Sequence, residues 1–230
     1  MLQGVILAGG LGTRMRPATN VINKHLLCVY DRPMIYYPIQ TFKENGITDI
    51  VIITGEENAG GFVEQLGDGS ALGVSITYGF QKGEGGIADA LKVARKYIHA
   101  EYFAVILGDN YFHPAPQIVP KRTLYTVHSK EARRFGVFID GKIIEKPDVD
   151  EGDAVVGLYV YKKEDLFFLD KLSKSARGEL EITDFNNILI DGYPVHVESY
   201  KGMWSDMGTP ESLLKAARHV HFINSSDKNY

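Results

Sequence analysis

A glycine-rich turn at residues 9–12 constrains the fold of this chain more than any other feature, because it directly follows the apolar residues 4–7. Gly9, Gly10 and Gly12 lack the β-carbon and tolerate positive φ, so backbone N–H groups can converge there on an anion. Thr13 can add a hydroxyl donor, and Arg14 a forked guanidinium that matches phosphate oxygens. The pattern predicts a strand that ends in a phosphate-binding loop.

Two common phosphate motifs do not fit this turn. No Gly-Lys-Ser/Thr follows at the spacing of a P-loop, and Met15 stands where a dinucleotide fingerprint needs its third glycine. The turn alone leaves open a plain strand-to-helix connection that carries two surface arginines.

The first half of the chain alternates apolar runs with helical patterns. Near-continuous runs, typical of strands covered on both faces, occur at 5–8, 50–54, 74–78 and 103–107. Helices are predicted at 33–45, 59–66 and 87–98, with Pro33 at a first helical position and Gly46 at a C′ position. This alternation indicates βαβ crossovers and a parallel sheet, whose ligand sites lie at the carboxyl ends of the strands.

The second half reads as β-rich from 123 to 161, with a hairpin turn at Asp140-Gly141. Further predictions are helices at 166–172, 184–190 and 210–223, a strand at 195–199 and a tail at 225–230. The predicted fold class is α/β, a Rossmann-like mixed and mainly parallel sheet with helices on both faces and a smaller β-rich layer. We expect one domain, with halves at 1–112 and 113–224, because no long polar linker separates them.

Charge and composition narrow the partners. The net charge of -4 argues against nucleic-acid binding, and no apolar run approaches the length of a membrane span. The single cysteine, Cys28, excludes an intrachain disulfide. With no basic leader either, we expect a cytoplasmic protein with neither a nucleic-acid nor a membrane partner.

Ordered sequence blocks along nearly the whole chain resemble the sugar-1-phosphate nucleotidyltransferase family, in a short form without the C-terminal extension of longer members. The blocks are GGLGTR at 9–14, KHLL at 24–27, YDRPMIYYP at 30–38, LGDN at 107–110, EKP at 145–147, GLY at 157–159, RGELEITD at 177–184 and WSDMGT at 204–209. The resemblance implies an enzyme that joins a nucleoside triphosphate and a sugar 1-phosphate and releases pyrophosphate. It favours dTTP and glucose 1-phosphate as substrates, and it implies that the β-rich layer binds the sugar.

The resemblance also implies site residues. Catalytic roles fall to Arg14, Lys24, Asp109, Lys146 and Asp206. Nucleotide contacts fall to Leu7, Gly9, Gly10, Gly12, Thr13, Arg14, Gln81, Gly86 and Asp109. Sugar-phosphate contacts fall to Asn110, Gly136, Glu145, Lys146 and Arg177.

Magnesium is the expected cofactor. Asp109 follows a buried strand, where an unpaired carboxylate would be costly, and Mg²⁺ ligation removes that cost. The resemblance makes Asp206 the second metal ligand. Taken alone, Asp206 could equally cap the helix predicted from Pro210, although Thr209 could take that role instead.

The base and sugar pockets are less constrained than the phosphate site. The amide of Gln81 offers a donor and an acceptor, which suits the imide edge of thymine or uracil. Departures from the family pattern occur at Cys28, Gly85, Ile144, Ser205 and Met207. Use of UTP or another hexose 1-phosphate therefore stays open, as does a non-catalytic regulatory protein that binds nucleotide sugars. The family also implies a homo-oligomer.

Overall fold

The computed structural model describes residues 2–83 and 85–226, so the part of the predicted tail at 227–230 lies outside the described residues. The strands are β1 (Leu2–Ala8), β2 (Cys28–Val29), β3 (Arg32–Pro33), β4 (Asp49–Gly55), β5 (Ser75–Gln81), β6 (Tyr102–Leu107), β7 (Tyr111–His113), β8 (Thr123–Ser129), β9 (Gly136–Ile139), β10 (Lys142–Glu145), β11 (Gly152–Lys162), β12 (His196–Ser199) and β13 (Met203–Ser205). The α-helices are α1 (Tyr36–Glu44), α2 (Ala59–Leu66), α3 (Ile87–Ala94), α4 (Ile182–Gly192) and α5 (Pro210–Ser226). A long 3₁₀ helix spans Lys163–Lys171.

One mixed sheet carries the fold. Strands β5, β4, β1 and β6 pair in parallel in that order, and β11 joins β6 antiparallel. Strand β11 also pairs with β9 and with β8. Strand β9 pairs in turn with β10, and β8 pairs with β12. The α/β class with a largely parallel centre is confirmed, and the β-rich half extends the same sheet.

Alternate residues of β1 separate the two cores of the molecule. Val5 and Leu7 pack with α3 and α4 on one face, whereas Ile6 and Ala8 pack with α1 and α2 on the other. This division explains why the central strands are apolar at nearly every position. Gly4 allows α1 to approach closely, since a β-carbon there would lie 2.8 Å from the Phe42 ring.

Several sequence predictions held at the level of local geometry. Asp140 and Gly141 have φ of 47° and 82° and join β9 to β10 as a tight hairpin. Gly46 has φ of 70° after the end of α1, as predicted for a C′ residue. Thr209 accepts a hydrogen bond at Oγ1 from the backbone N–H of Ser212 at 3.2 Å, so of the two caps that the sequence left open for α5, Thr209 is the one observed.

Other predictions were wrong in their bounds or environment. Pro33 pairs with Cys28 in a short ladder, so α1 begins only at Tyr36. Strand β5 alternates buried and exposed residues, unlike the predicted continuous run, because it lies at the sheet edge and pairs with no strand other than β4 among the described residues. Helix α3 ends at Ala94 rather than at 98, and α5 continues through 225 and 226, which were predicted as tail.

The closing helix α5 covers a third, smaller apolar cluster. Ala216 and Val220 pack there with Val29, Met34 and Tyr111. Strand β13 pairs with β7 and thereby holds the segment before α5 close to the end of β6. Among the described helices, we find none with the length and apolar character needed to span a bilayer.

Candidate active site

The site lies where the order of the parallel strands reverses. The chain runs from β1 outward to β4 and β5 and then returns to place β6 on the other side of β1. The loops that follow β1 and β6 therefore leave the same edge of the sheet side by side, and such switch points form ligand crevices. The backbone N–H of Gly108 donates to the carbonyl of Leu7 at 2.8 Å, which joins the two loops directly.

Asp109 is held at this point by three neighbours. Lys24 Nζ lies 2.6 Å from Asp109 Oδ2, and both side chains are largely buried. Asn110 Nδ2 donates to Asp109 Oδ1 at 2.9 Å. Burial raises the pKa of Asp109, but the charge of Lys24, with smaller contributions from His25 and the hydrogen bonds, lowers it to a net value below the usual one. The carboxylate is therefore ionised at neutral pH.

A neutral histidine, His25, packs against the turn that carries Asp109. His25 is buried, and its Nδ1 lies 2.9 Å from Oδ1 of Asn23. Burial and the neighbouring Lys24 charge lower the pKa of His25 to about 3. Gly108 must be glycine, since a β-carbon there would lie 2.8 Å from the His25 ring.

Asp206 also lines this cleft, on the segment between β13 and α5. Arg134 Nη2 lies 2.9 Å from Asp206 Oδ2, and that carboxylate is largely buried. Arg14 reaches the same segment, because a β-carbon at Gly208 would lie 3.0 Å from its Nη2. Since Thr209 caps α5, Asp206 does not have the capping role that its position in the sequence also allowed.

Asn110 connects the Asp109 turn to the two neighbouring strands. Its Oδ1 accepts the backbone N–H of Gly157 at 3.1 Å and the indole N–H of Trp204 at 2.8 Å. Because Asn110 is only 2% exposed, each of these bonds is shielded from water.

The predicted sugar-phosphate residues meet at the end of β10 and before α4. Glu145 Oε2 accepts from Thr183 Oγ1 at 2.7 Å, and its Oε1 lies 3.3 Å from Arg177 Nη2. Lys146 Nζ lies 3.6 Å from the same Oε1. Two cations thus flank the Glu145 carboxylate, and Arg177 is held more closely by Glu181, whose Oε2 lies 2.8 Å from Arg177 Nη2. Gly136 faces Glu145 across the β9–β10 pair.

The predicted base-binding residues lie beside this cleft. Gln81 ends β5 and is buried, and its Nε2 donates to the carbonyl of Gly86 at 3.2 Å. A β-carbon at Gly9 would lie 2.9 Å from Gln81 Oε1, so the amide borders the glycine-rich loop. Gly10 and Gly12 have the positive φ expected of that loop, at 97° and 61°.

A cleft of about 350 Å³ brings many of the predicted residues together. It is lined by Arg14, Asp109, Asn110, Gly136, Glu145, Lys146, Arg177 and Asp206. Outside its lining are Leu7, Gly9, Gly10, Gly12, Thr13, Lys24, Gln81 and Gly86. Lys24 is linked to the cleft through Asp109, and the others belong to β1 and its loop, the end of β5 and the start of α3.

Arg134, Trp204 and Thr183 were missed by sequence reasoning as site residues. All three line the cleft, and each bonds to a predicted residue. Trp204 and Thr183 lie inside blocks that pointed to the family, which was the available signal. Arg134 lies in none, and its contact joins residues 72 positions apart.

The carboxylates fit a hard divalent cation such as Mg²⁺, which takes one or two carboxylates and completes its shell with substrate oxygens and water. Asp109 and Asp206 line the same cleft. Among residues 2–83 and 85–226, no cluster of three or more His, Cys, Asp or Glu side chains could hold a metal ion unaided. Because fewer than three such side chains meet here, a bound ion would need further ligands from the substrates. Asp109 contacts Lys24, and Asp206 contacts Arg134.

A glycine-rich loop at a switch point, two carboxylates in one cleft and several cations define a class, the phosphate-transferring enzymes of α/β folds. The Nucleotidyl transferase family matches residues 3–222. A glucose-1-phosphate thymidylyltransferase of Neisseria meningitidis is 38% identical, across 97% of this chain and 84% of its own. One from Mycobacterium tuberculosis H37Rv is 39% identical, across 96% and 83%. The chain therefore belongs to the nucleotidyl transferase family and is a nucleotidyltransferase.

Solved structures agree with this family. A candidate glucose-1-phosphate thymidylyltransferase from Bacillus anthracis, in complex with a sucrose, is 38% identical with a TM-score of 0.87, and the match covers 95% of this chain and 94% of that one. A UDP-glucose pyrophosphorylase complexed with UDP-glucose has a TM-score of 0.84 at 23% identity, covering 96% of this chain and 99% of that one. The second likeness concerns the fold alone.

Proposed function

We propose that this enzyme joins dTTP and glucose 1-phosphate to give dTDP-glucose and pyrophosphate, with Mg²⁺ as cofactor. The observation that carries the proposal is a single cleft lined by two carboxylates, Asp109 and Asp206, and by the cations Arg14, Lys146 and Arg177. The N. meningitidis and M. tuberculosis relatives, which bear the name glucose-1-phosphate thymidylyltransferase, support this substrate pair.

The triphosphate binds at the loop after β1 in this proposal. Backbone N–H groups of Gly9 to Gly12 and the hydroxyl of Thr13 hold the β- and γ-phosphates, which leave as pyrophosphate. Arg14 stabilises the negative charge that develops on the leaving group. Lys24 is shared between Asp109 and the phosphates.

The sugar phosphate binds on the opposite wall. Lys146 and Arg177 hold its phosphate so that one oxygen attacks the α-phosphorus in line with the departing pyrophosphate. The attacking group is already an anion at neutral pH, so the reaction needs no general base. Glu145 lies beside both cations, accepts a hydrogen bond from Thr183, and contacts the hexose hydroxyls together with Gly136 and Asn110.

Asp109 and Asp206 would hold the Mg²⁺ ion. When bound, this ion would neutralise charge on the triphosphate oxygens. The contacts of Lys24 with Asp109 and of Arg134 with Asp206 orient both carboxylates before substrates bind.

Gln81 and the backbone of Gly86 would bind the base, with Leu7 and Gly9 against the nucleoside. The buried Gln81 amide adjoining Gly9 supports this role.

We also propose that the chain is one domain that acts in the cytoplasm as a homo-oligomer and binds neither nucleic acid nor a membrane. The shared sheet of both halves supports one domain, and the net charge of -4 supports the absence of nucleic acid.

Pyrophosphate release tests the activity. The enzyme would be incubated with Mg²⁺ and a grid of nucleoside triphosphates and hexose 1-phosphates, beside Asp109→Asn and the control Asp191→Asn on the exposed end of α4. We expect release to be highest with dTTP and glucose 1-phosphate, lost in Asp109→Asn and retained in Asp191→Asn. If no pair of substrates releases pyrophosphate although the protein still binds nucleotide, the result would favour a nucleotide-binding regulatory protein over an enzyme.

A further inference from the structure

Asp89, in the first turn of α3, makes a contact that the proposed reaction does not use. Its Oδ2 accepts a hydrogen bond from Gln81 Nε2 at 2.8 Å. The same nitrogen donates to the carbonyl of Gly86 at 3.2 Å. Because a carboxylate and a carbonyl are both acceptors, only the NH₂ end of the amide can face them. Asp89 and Gly86 together fix which way the Gln81 amide points.

The other end of the amide therefore points toward the phosphate loop. A β-carbon at Gly9 would lie 2.9 Å from Gln81 Oε1, so this oxygen lies against the backbone that follows β1. With both N–H groups of Gln81 directed to Asp89 and Gly86, the amide presents an acceptor to a nucleobase beside Gly9, and not a donor.

The position of Asp89 is itself fixed by its surroundings. A β-carbon at Gly85 would collide with the Asp89 carboxylate, so that side chain lies directly over a glycine. The start of α3 is tied to the loop before α4, because Leu180 N–H donates to the Gly85 carbonyl at 2.8 Å and Ala88 N–H donates to the Leu180 carbonyl at 3.4 Å. The carboxylate thus has a rigid support.

We propose that Asp89 is a positioning residue that selects the nucleobase by fixing the orientation of Gln81. The inference rests on the proposed function and adds the chemistry of its base pocket. Gln81 Oε1 can accept the N3–H of the imide in thymine or uracil. In cytosine, N3 carries a lone pair in place of that proton, so two acceptors would face each other and binding would weaken.

The selection does not depend on the negative charge of Asp89. An asparagine at this position still offers a carbonyl oxygen to Gln81 Nε2, so Asp89→Asn should keep the amide in place. Asp89→Ala removes the closer of the two acceptors and leaves only the longer contact with the Gly86 carbonyl, so the amide can rotate more easily. Gly85→Ala keeps the carboxylate but displaces it from Gln81. The two disruptive variants should therefore behave alike, and the asparagine variant should behave like the parent.

Kinetics with dTTP and dCTP, each with glucose 1-phosphate, would test the proposal in the parent and all three variants. We expect Asp89→Ala and Gly85→Ala to lower the dTTP preference, measured as the ratio of kcat/KM values, by roughly tenfold, as the loss of one hydrogen bond that orients the amide implies. The change should lie mainly in KM. Calorimetric binding of dTDP and dCDP should give the same ratio without catalysis, and thermal melting should show that each variant is folded.

Asp184→Ala is a matched control, because Asp184 holds the same first-turn position in α4. It should leave the preference unchanged. An unchanged preference in both folded disruptive variants, or an Asp89→Asn variant as indiscriminate as Asp89→Ala, would overturn the proposal. A parent that releases pyrophosphate with neither nucleotide would instead refute the proposed function, so the two failures are distinguishable. If Asp89→Ala does not fold, Gly85→Ala alone decides.

Discussion

Asn110 joins three parts of the candidate active site, and its replacement by alanine should weaken all of them. The side chain donates to Asp109 and accepts from Gly157 N–H and Trp204 Nε1–H, at distances of 2.8 to 3.1 Å. Asn110→Ala leaves the two N–H groups of Gly157 and Trp204 buried without their acceptor. At about 1–2 kcal/mol for each unpaired group, the lower part of the usual range because Trp204 is only half-buried, the free energy of unfolding should fall by about 2–4 kcal/mol.

Thermal or urea unfolding measures this loss directly. For a chain of this size, 1 kcal/mol corresponds to about 2–4 °C in Tm, so the melting temperature should drop by about 5–15 °C. Activity measured well below that temperature should also fall, since Asp109 loses a donor that orients it. Asn110→Asp keeps an acceptor for Gly157 and Trp204 but places a second carboxylate against Asp109, so it should lose activity through charge repulsion.

Asn45 provides a matched control outside the cleft. It also makes three side-chain hydrogen bonds, to the carbonyls of Thr41 and Pro116 and from the N–H of Ile118. Asn45→Ala should reduce stability without reducing activity per folded molecule. An Asn110→Ala enzyme within 0.5 kcal/mol of the parent in stability, or one fully active at low temperature, would refute the reasoning about this residue.

Three further predictions concern single residues. The pKa of His25 is lowered to about 3 in the folded protein, so below pH 6.5 the unfolded state binds more protons than the folded state. At pH 4.5 this difference should reduce the free energy of unfolding by about 2–3 kcal/mol relative to neutral pH. Urea unfolding of His25→Gln, measured as a function of pH, should lack that reduction. Gly86 has φ of 89°, and a β-carbon there would lie 2.7 Å from the Leu180 carbonyl, so Gly86→Ala should raise the KM for the nucleotide in steady-state kinetics. An unchanged nucleotide KM would contradict the assignment of Gly86 to the base site. Arg177→Lys keeps the charge but loses the forked geometry, so steady-state kinetics should give a KM for the sugar 1-phosphate about tenfold higher, with the nucleotide KM unchanged. An equal rise in both KM values would argue against a sugar-phosphate role for Arg177.

The sequence predicted best where local chemistry decides the structure. The apolar runs of β1, β4 and β6 predicted buried parallel strands, and Asp140-Gly141 predicted a hairpin, because both patterns act over a few residues. The sequence predicted the structure poorly where contacts with residues far along the chain determine it. Strand β5 is an edge strand because no strand pairs beyond it in the described sheet, and that arrangement depends on the whole topology.

The same distinction applies to the candidate site. Asp109 and the glycine loop stand out because each directly follows a strand end in the sequence. Arg134 and Asp89 have no comparable signal, since their importance comes from contacts with Asp206 and Gln81 that only the folded chain creates. The roles of these residues in the reaction remain predictions until they are measured.

The most direct test of the central claim is the identity of the product. The enzyme would be incubated with Mg²⁺, dTTP and glucose 1-phosphate, and the mixture analysed by mass spectrometry and ³¹P NMR. We expect dTDP-glucose and pyrophosphate in equal amounts, and no product with Asp109→Asn. Release of inorganic phosphate with no dTDP-glucose, or equal product from Asp109→Asn, would contradict it.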